Sequence, residues 1–234
     1  MDTSPDGLYK ELAEYTKRDV ELVKLRCQGA GAELAWRWAG EEDLPQYYQE
    51  TALYLFDLTQ YQTMLRQNNI PIWLSRKIQE YGWKTVLDFG GGIGEWSILF
   101  AQEGCNVTYQ DVEPSYTKAY AEYRFYKHGV KVEVVPHTVA VTGHFDAIIA
   151  MDVLEHLEKE QAERLIEQWN LQTNYLFANP DQIKYNFLYP QHITYYNLDP
   201  YWERVEGYLY KARPVKTPED LFAMSIPVLE GAEA

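Results

Sequence analysis

Val86-Leu87-Asp88-Phe89-Gly90-Gly91-Gly92-Ile93-Gly94-Glu95 is the stretch from which the rest of this 234-residue chain is read. An apolar run that ends in an aspartate and passes into four glycines among five residues describes a buried strand emptying into a tight turn that opens a helix. Glycine at 90, 92 and 94 permits torsions closed to residues with a Cβ, and lets peptide N–H groups approach a ligand at the positive end of the helix. Such a turn binds nucleotides. The dinucleotide fingerprint G-x-G-x-x-G makes room for a pyrophosphate, whereas here the third glycine falls one place early and bulky Trp96 follows. No G-K-[ST] is present to hold a triphosphate. Asp88, at the strand's carboxyl end, would repel a phosphate and attract an ammonium. The ligand is therefore expected to be cationic at this turn, with a nucleoside beyond it.

Two further stretches extend the pattern. Asn106 to Gln110 alternates as a strand does, and Asp111 ends it 23 residues after Asp88, where a carboxylate can accept from both hydroxyls of a ribose. Phe145 to Ala150 is a nearly continuous apolar run, the mark of a strand buried on both faces of a parallel sheet, and Met151-Asp152-Val153-Leu154-Glu155-His156-Leu157 follows it. In this order and spacing the three motifs resemble the class I methyltransferases that use S-adenosylmethionine, in particular their small-molecule and quinone-type branch. The resemblance covers roughly Thr85 to Leu157 and, by pattern, reaches Arg213. It implies an α/β fold, a Rossmann-like doubly wound and mostly parallel sheet. It also implies S-adenosyl-L-methionine as cofactor, held by Asp88, Gly90, Gly91, Gly92, Gly94, Asp111, Val112 and the Met151-Asp152 edge. One departure stands out: the family's acidic residue after the third strand is missing, because Lys131 to Val135 runs into Pro136-His137-Thr138. Thr138 or a backbone group is the expected substitute near the adenine.

Composition agrees. A chain of this length buries one good-sized core, so one catalytic domain with an appendage is expected. Cys27 and Cys105 lack metal spacing and make no disulfide framework, which points to a reducing compartment. No apolar run approaches the roughly 20 residues of a membrane span, and Met1-Asp2-Thr3-Ser4-Pro5-Asp6 has no signal-peptide character, so a cytoplasmic protein without a membrane partner is expected. The net charge of −14 with no basic run disfavours nucleic acid and favours a small-molecule methyl acceptor. Composition says nothing about oligomeric state.

Residues 1–82 read as a helical appendage. Leu8, Leu12, Tyr15 and Leu22 recur at helical spacing, as do Tyr47, Thr51, Tyr54, Leu58, Tyr61 and Leu65, and Pro71 begins a helix that Gly82 closes. Gly29-Ala30-Gly31 and the acidic stretch from Glu41 to Pro45 read as connections. In the family resembled, such helices lie over the carboxyl edge of the sheet and shape the acceptor pocket. The organisation expected is a cap at 1–82, a cofactor-binding core at 83–213 and a tail at 214–234. Beyond a helix at Glu158 to Trp169 and a strand at Asn174 to Ala178, the chain is loop-rich up to a closing strand at Gly207 to Lys211. Tyr54 and Tyr61 from the cap, with Tyr189 and Tyr195 from the loops, are the expected pocket walls.

Methyl transfer is an in-line displacement at an activated carbon, and positioning alone can supply up to about 7 to 11 kcal/mol. A base is needed only for a hydroxyl or an acidic carbon, and histidine suits that work near neutrality. His156 and His192 are the candidates. Asp152, Glu155 and His156 form D-x-x-E-H, which with His192 could serve a divalent metal, and the small-RNA 3′-end methyltransferases use a comparable pattern. E-H-L after the fourth strand also occurs in metal-free relatives, and the acidic composition argues against RNA; no metal is expected. The alternatives are a catalytically silent nucleoside-binding module or partner subunit, and a metal-dependent RNA 3′-end methyltransferase.

Overall fold

Strand β1 (Thr85–Phe89) turns successive side chains toward two apolar layers: Val86 joins one buried cluster and Leu87 the other. Both faces of the sheet are thus covered, as the unbroken hydrophobicity of the strand demands. The computed structural model describes residues 4–39, 44–180 and 191–214. Among the described residues, seven strands lie in the order β3-β2-β1-β4-β5-β7-β6. They are β2 (Asn106–Asp111), β3 (Val132–Pro136), β4 (Phe145–Ala150), β5 (Thr173–Ala178), β6 (Trp202–Glu206) and β7 (Leu209–Ala212) around β1. The first five pair in parallel, and β7 runs antiparallel to both β5 and β6. This is the Rossmann-like, mostly parallel, doubly wound α/β sheet. The register sets Asp88 beside Tyr109 and Ile149, so the ends of β1, β2 and β4 meet at one edge.

Helices α6 (Glu95–Gln102) and α7 (Tyr116–His128) cover one face, and α8 (Lys159–Gln172) covers the other. Among the described residues, five helices precede the sheet: α1 (Pro5–Thr16), α2 (Val20–Trp38), α3 (Leu44–Glu50), α4 (Leu53–Gln67) and α5 (Ile70–Tyr81). Helix α5 ends on Gly82 in the left-handed region at φ +67°, as its sequence foretells. Leu65, Leu74 and Ile78 of α4 and α5 share a core with Val86, Trp96 and Ile149. A second core joins Leu12, Val23, Cys27 and Phe56 of the first helices to Ile93 in the glycine turn and Tyr120 of α7. The helical region is seated directly on the turn.

Two expectations are corrected. Gly29-Ala30-Gly31 is no break: α2 runs through it, with Ala30 fully buried. A Cβ on Gly31 would stand 2.8 Å from Asp57 Oδ1, so the small residues there let α4 come close. The real break lies at Lys17, left-handed at φ 54°, and Asp19 caps α2 by accepting from the Glu21 and Leu22 amides. Leu22 is correspondingly exposed and outside the core. Strand β6 stands where the sequence predicts loop, because only its Trp202 is buried; Glu203, Arg204 and Glu206 face solvent, as the edge of a sheet requires. No described helix is long and apolar enough to cross a membrane. The residues 215–234 of the expected tail lie outside the described residues.

Candidate functional site

A cavity of about 420 Å³ opens where the carboxyl ends of β1, β2 and β4 meet beneath α3 and α4. That size suits a ligand of nucleoside dimensions, and open parallel sheets bind ligands at this edge. Its floor is the glycine turn. Gly90, Gly92 and Gly94 adopt φ of +66°, +53° and +72°, the conformations that glycine alone takes freely. Contact is tight on both sides. A Cβ at Gly90 would fall 2.4 Å from Val153 Cγ2, and one at Gly92 would fall 2.9 Å from Leu58 Cδ1 of α4.

The glycine amides of the turn are not offered to a ligand, and in this the sequence reading is corrected. Gly90 and Gly91 donate to the Gln110 carbonyl at 2.8 and 3.2 Å, Gly92 donates to Asp111 Oδ2, and Gly94 donates to the Gly91 carbonyl. The glycines supply room and curvature instead. Gly94 also stands off the cavity: its absent side chain makes space for Phe125 and Ala121 of α7. Gly90, Gly91 and Gly92 do line it.

Asp88 and Asp111 reach the cavity from neighbouring strands. Asp88 is fully buried, and its Oδ2 accepts from the Ser97 amide at 3.0 Å and the Ser97 hydroxyl at 2.6 Å. Burial pushes its carboxyl up to about 7, the Asp111 charge adds to this, and Ser97 opposes it. Ser97 went unnoticed in the sequence, although it sits one turn into the helix that the glycines open. Asp111 accepts from the Gly92 amide through Oδ2 and from the Val112 amide through Oδ1 at 2.6 Å. Burial raises it to about 6 against those two amides. A carboxylate has about four acceptor sites, so two remain for hydroxyls. Val112 lines the cavity beside it.

After β3, Gln110 Nε2 donates to the carbonyls of Pro136 and Val139 at 2.8 and 2.7 Å and pins the turn between them. That turn aims His137 into the cavity and Thr138 away from it. Thr138 is exposed and lines a separate hollow between Val139, Val141 and Trp169, so its expected place beside the ligand is corrected.

Met151 and Asp152 follow β4 into the cavity wall. Asp152 is held in the left-handed region at φ 54°, a conformation that costs a non-glycine residue about 1 to 3 kcal/mol. Asn179, at the end of β5, donates to its Oδ1 at 3.2 Å. Tyr61 also faces Asp152, and burial together with that charge raises its hydroxyl above the ordinary tyrosine range. Burial raises Tyr54 likewise, so both remain neutral phenols in the wall. Tyr195 does not join them. Residues 194–198 alternate in burial, and Thr194, Tyr196 and Leu198 turn inward while Tyr195 is 68% exposed. Ile193 lines the cavity from this segment. Tyr189 lies outside the described residues.

His156 lines the cavity, within a 3₁₀ turn at Leu154–His156. Its Nδ1 stands 3.0 Å from the Gln191 carbonyl and 3.2 Å from the hydroxyl of Tyr48 on α3. Burial and the neighbouring His192 push His156 down to about 4, so it is neutral near pH 7. With Nδ1–H donating to the carbonyl, Nε2 carries the lone pair. His192 is corrected as a wall residue: it is buried behind His156, their rings edge to face at 4.9 Å, and it does not line the cavity. Glu155, fully buried, completes a group in which Glu155, His156 and His192 offer ligand atoms within 4.8 Å of one another. Neither Glu155 oxygen has a hydrogen-bond partner among the described residues, and burial, then the Asp152 charge, raises its carboxyl well above the usual range. The cap residues Trp38, Gln49 and Gln62 also line the cavity and were missed, because only the folded arrangement of α2 to α4 brings them there.

Residues 74–172, under half of the chain, match the family model described as a methyltransferase domain. No curated protein sequence matches the chain significantly. Among solved structures, the chain is similar to TehB from Haemophilus influenzae at 20% identity, covering 44% of this chain and 38% of that one, with a TM-score of 0.41. It is similar to an S-adenosylmethionine-dependent methyltransferase from Clostridium acetobutylicum at 13% identity, covering 49% and 52%, with a TM-score of 0.43. It is also similar to magnesium protoporphyrin IX methyltransferase from Synechocystis, solved with S-adenosylmethionine bound, at 20% identity, covering 62% and 67%, with a TM-score of 0.43. The chain spans about half or less of the length of the first two.

Proposed function

We propose, from the methyltransferase domain that residues 74–172 carry, that the chain transfers a methyl group from S-adenosylmethionine to a small-molecule acceptor by in-line displacement. The observation that carries this reading is a pair of carboxylates, buried Asp88 and half-buried Asp111, facing one cavity across a turn whose glycine amides are already used. Such a floor suits a cationic nucleoside better than a phosphate. The fit is also steric: a Cβ at Gly90 or Gly92 would meet its neighbours, so the cradle has no room for side chains in the turn.

When bound, the cofactor supplies a methyl group activated by its sulfonium. Asp88 would receive the ammonium of its amino-acid end, and Asp111 the ribose hydroxyls. Val112, His137 and Met151 would flank the nucleoside, and Asp152 would sit at the acceptor side. Helices α3 and α4 exclude water, and the phenols of Tyr54 and Tyr61 orient the acceptor without acting as bases. The chain's own part would be to hold the acceptor heteroatom toward that methyl group and to let its proton depart. The heteroatom's proton leaves to water or to His156, whose Nε2 is unprotonated but only weakly basic. Most of the rate then comes from positioning.

Calorimetric titration with S-adenosylmethionine and S-adenosylhomocysteine tests the reading. Binding of both is expected, and binding of a nicotinamide nucleotide in their place would sink it. A chain that binds both yet methylates nothing in a broad metabolite screen would be the silent module.

One observation favours a second reading, a divalent metal held by Glu155, His156 and His192, as an RNA 3′-end methyltransferase would require. The described cavity wall has no lysine or arginine to hold a phosphate backbone, which is why we place this second. A stoichiometric divalent ion in the purified chain, with activity lost on chelation, would reverse the order.

A further inference from the structure

The cavity wall is biased in charge. Its carboxylates among the described residues are Asp88, Asp111, Asp152 and Glu158, and no lysine or arginine is among the described residues that line it; Lys118, outside the lining, acts on Asp111. On the methyltransferase reading, on which this inference rests, Asp88 and Asp111 are occupied by the donor. Asp152, expected at the cofactor edge from sequence, and Glu158 are the lining carboxylates left over once Asp88 and Asp111 are given to the donor, and this inference assigns them to the acceptor. The facing wall is aromatic: Trp38, Tyr48, Tyr54 and Tyr61 come from α2, α3 and α4, with Tyr48 stacked on Tyr54 at 5.2 Å. None of the residues on that wall, Trp38, Tyr48, Tyr54 and Tyr61, is cationic.

Carboxylates and aromatic faces around one space are the two features that select a cation. Ring faces attract an ammonium by their quadrupole, by about 0.5 to 2 kcal/mol as water is removed. A carboxylate close by adds direct attraction, and the chain's net charge of −14 draws cations toward it before contact. An anion in the same place would meet two carboxylates with nothing to compensate its lost hydration.

We infer that the methyl acceptor is a cationic amine on a ring-bearing body, its ammonium set against Asp152 and Glu158 and its ring against the Trp38 and tyrosine wall, and that acids are excluded. The methylated atom is a different one, or the same nitrogen after loss of its proton, because a protonated amine has no lone pair to receive the methyl carbon. Asp152 and Glu158 are then specificity-determining residues.

The test is calorimetry on the full chain saturated with S-adenosylhomocysteine, using three phenols that differ in the end group: tyramine, tyrosol and 4-hydroxyphenylacetate. Tyramine is expected to bind about tenfold more tightly than tyrosol, a difference of roughly 1.4 kcal/mol, and the acid not measurably. Glu158→Gln, at the exposed start of α8, should reduce the tyramine preference and leave tyrosol unchanged, and Asp152→Asn, read only in a variant that still saturates with S-adenosylhomocysteine, should reduce the preference as well. Binding of the acid as tight as that of the amine overturns the inference, as does a tyramine preference that survives both substitutions. Saturation with S-adenosylhomocysteine is measured first. Failure at that step sinks the methyltransferase reading, whereas saturation followed by no preference for the amine sinks only this inference.

Discussion

Asp88 is a buried carboxyl poised near pH 7, and its titration has opposite consequences with and without a bound cation. In the free protein the folded state keeps a proton that the unfolded chain loses above its ordinary value near 4. Folding is therefore favoured at the acid end of the window from about 4 to 7, and that advantage disappears as pH rises to 7. An ammonium reverses the preference, because it needs the charged carboxylate. Cofactor affinity is expected to fall as pH drops below 7, approaching about tenfold per pH unit for one linked proton. Asp111, raised to about 6, adds a second such dependence at lower pH. Asp88→Asn should weaken binding at pH 8 by about ten- to a hundredfold, the worth of a hydrogen bond to a charged group, and should flatten the upper part of the profile. Calorimetry from pH 5.5 to 8.5 checks this, and an affinity independent of pH in the unsubstituted chain would refute it.

At the scale of elements, the helix behind the glycine turn is held by charges that no local pattern announces. Glu95, the first residue of α6, is buried between Arg66 of α4 and Arg124 of α7, each 2.7 Å away. Burial alone would raise its carboxyl, but the two guanidiniums hold it below the usual range. Arg124 also donates to the Ile93 carbonyl inside the turn at 2.6 Å and to Glu11 of α1 at 3.1 Å. Losing Arg124 would leave two buried carboxylates short of a partner and the turn short of a brace. Arg124→Met is expected to cost about 3 to 5 kcal/mol in urea unfolding, the usual penalty for breaking a buried pair. A loss below about 1 kcal/mol would mean that water or Arg66 satisfies Glu95 unaided. This network illustrates what sequence reading misses. The strands β1, β2 and β4 and the Gly82 cap were legible because each is written in a few consecutive residues. Arg66, Glu95 and Arg124 belong to three helices, and their pairing follows only from the packing. The continuity of α2 through Gly29-Ala30-Gly31 was hidden likewise, since glycine serves both a helix break and a close helix contact.

Over the whole molecule, the donor half of the cavity was legible and the acceptor half only in part, through the tyrosine face of Tyr48, Tyr54 and Tyr61. Asp88, Asp111 and Met151 stand at strand ends, and a parallel sheet brings strand ends together whatever surrounds them. Trp38 and Gln62 depend on how the helices settle on that edge, and Tyr195 and His192 depend on which way a loop segment faces. The division at residue 82 tells the same story. It marks a change of pattern, yet Leu65, Leu74 and Ile78 from before it close the core that Val86, Trp96 and Ile149 form after it. The helices and the sheet therefore share one apolar interior and are expected to unfold in one transition. A fragment of residues 83–234 would expose that face of the sheet and lose Arg66 and Glu11 from the buried charge cluster. It is expected to lack a cooperative thermal transition and to bind no S-adenosylhomocysteine, whereas the full chain should melt once, with all probes coincident. Two separated transitions in the full chain, or a fragment that melts cooperatively, would show instead that the helices are a dispensable lid on a sheet able to fold without them.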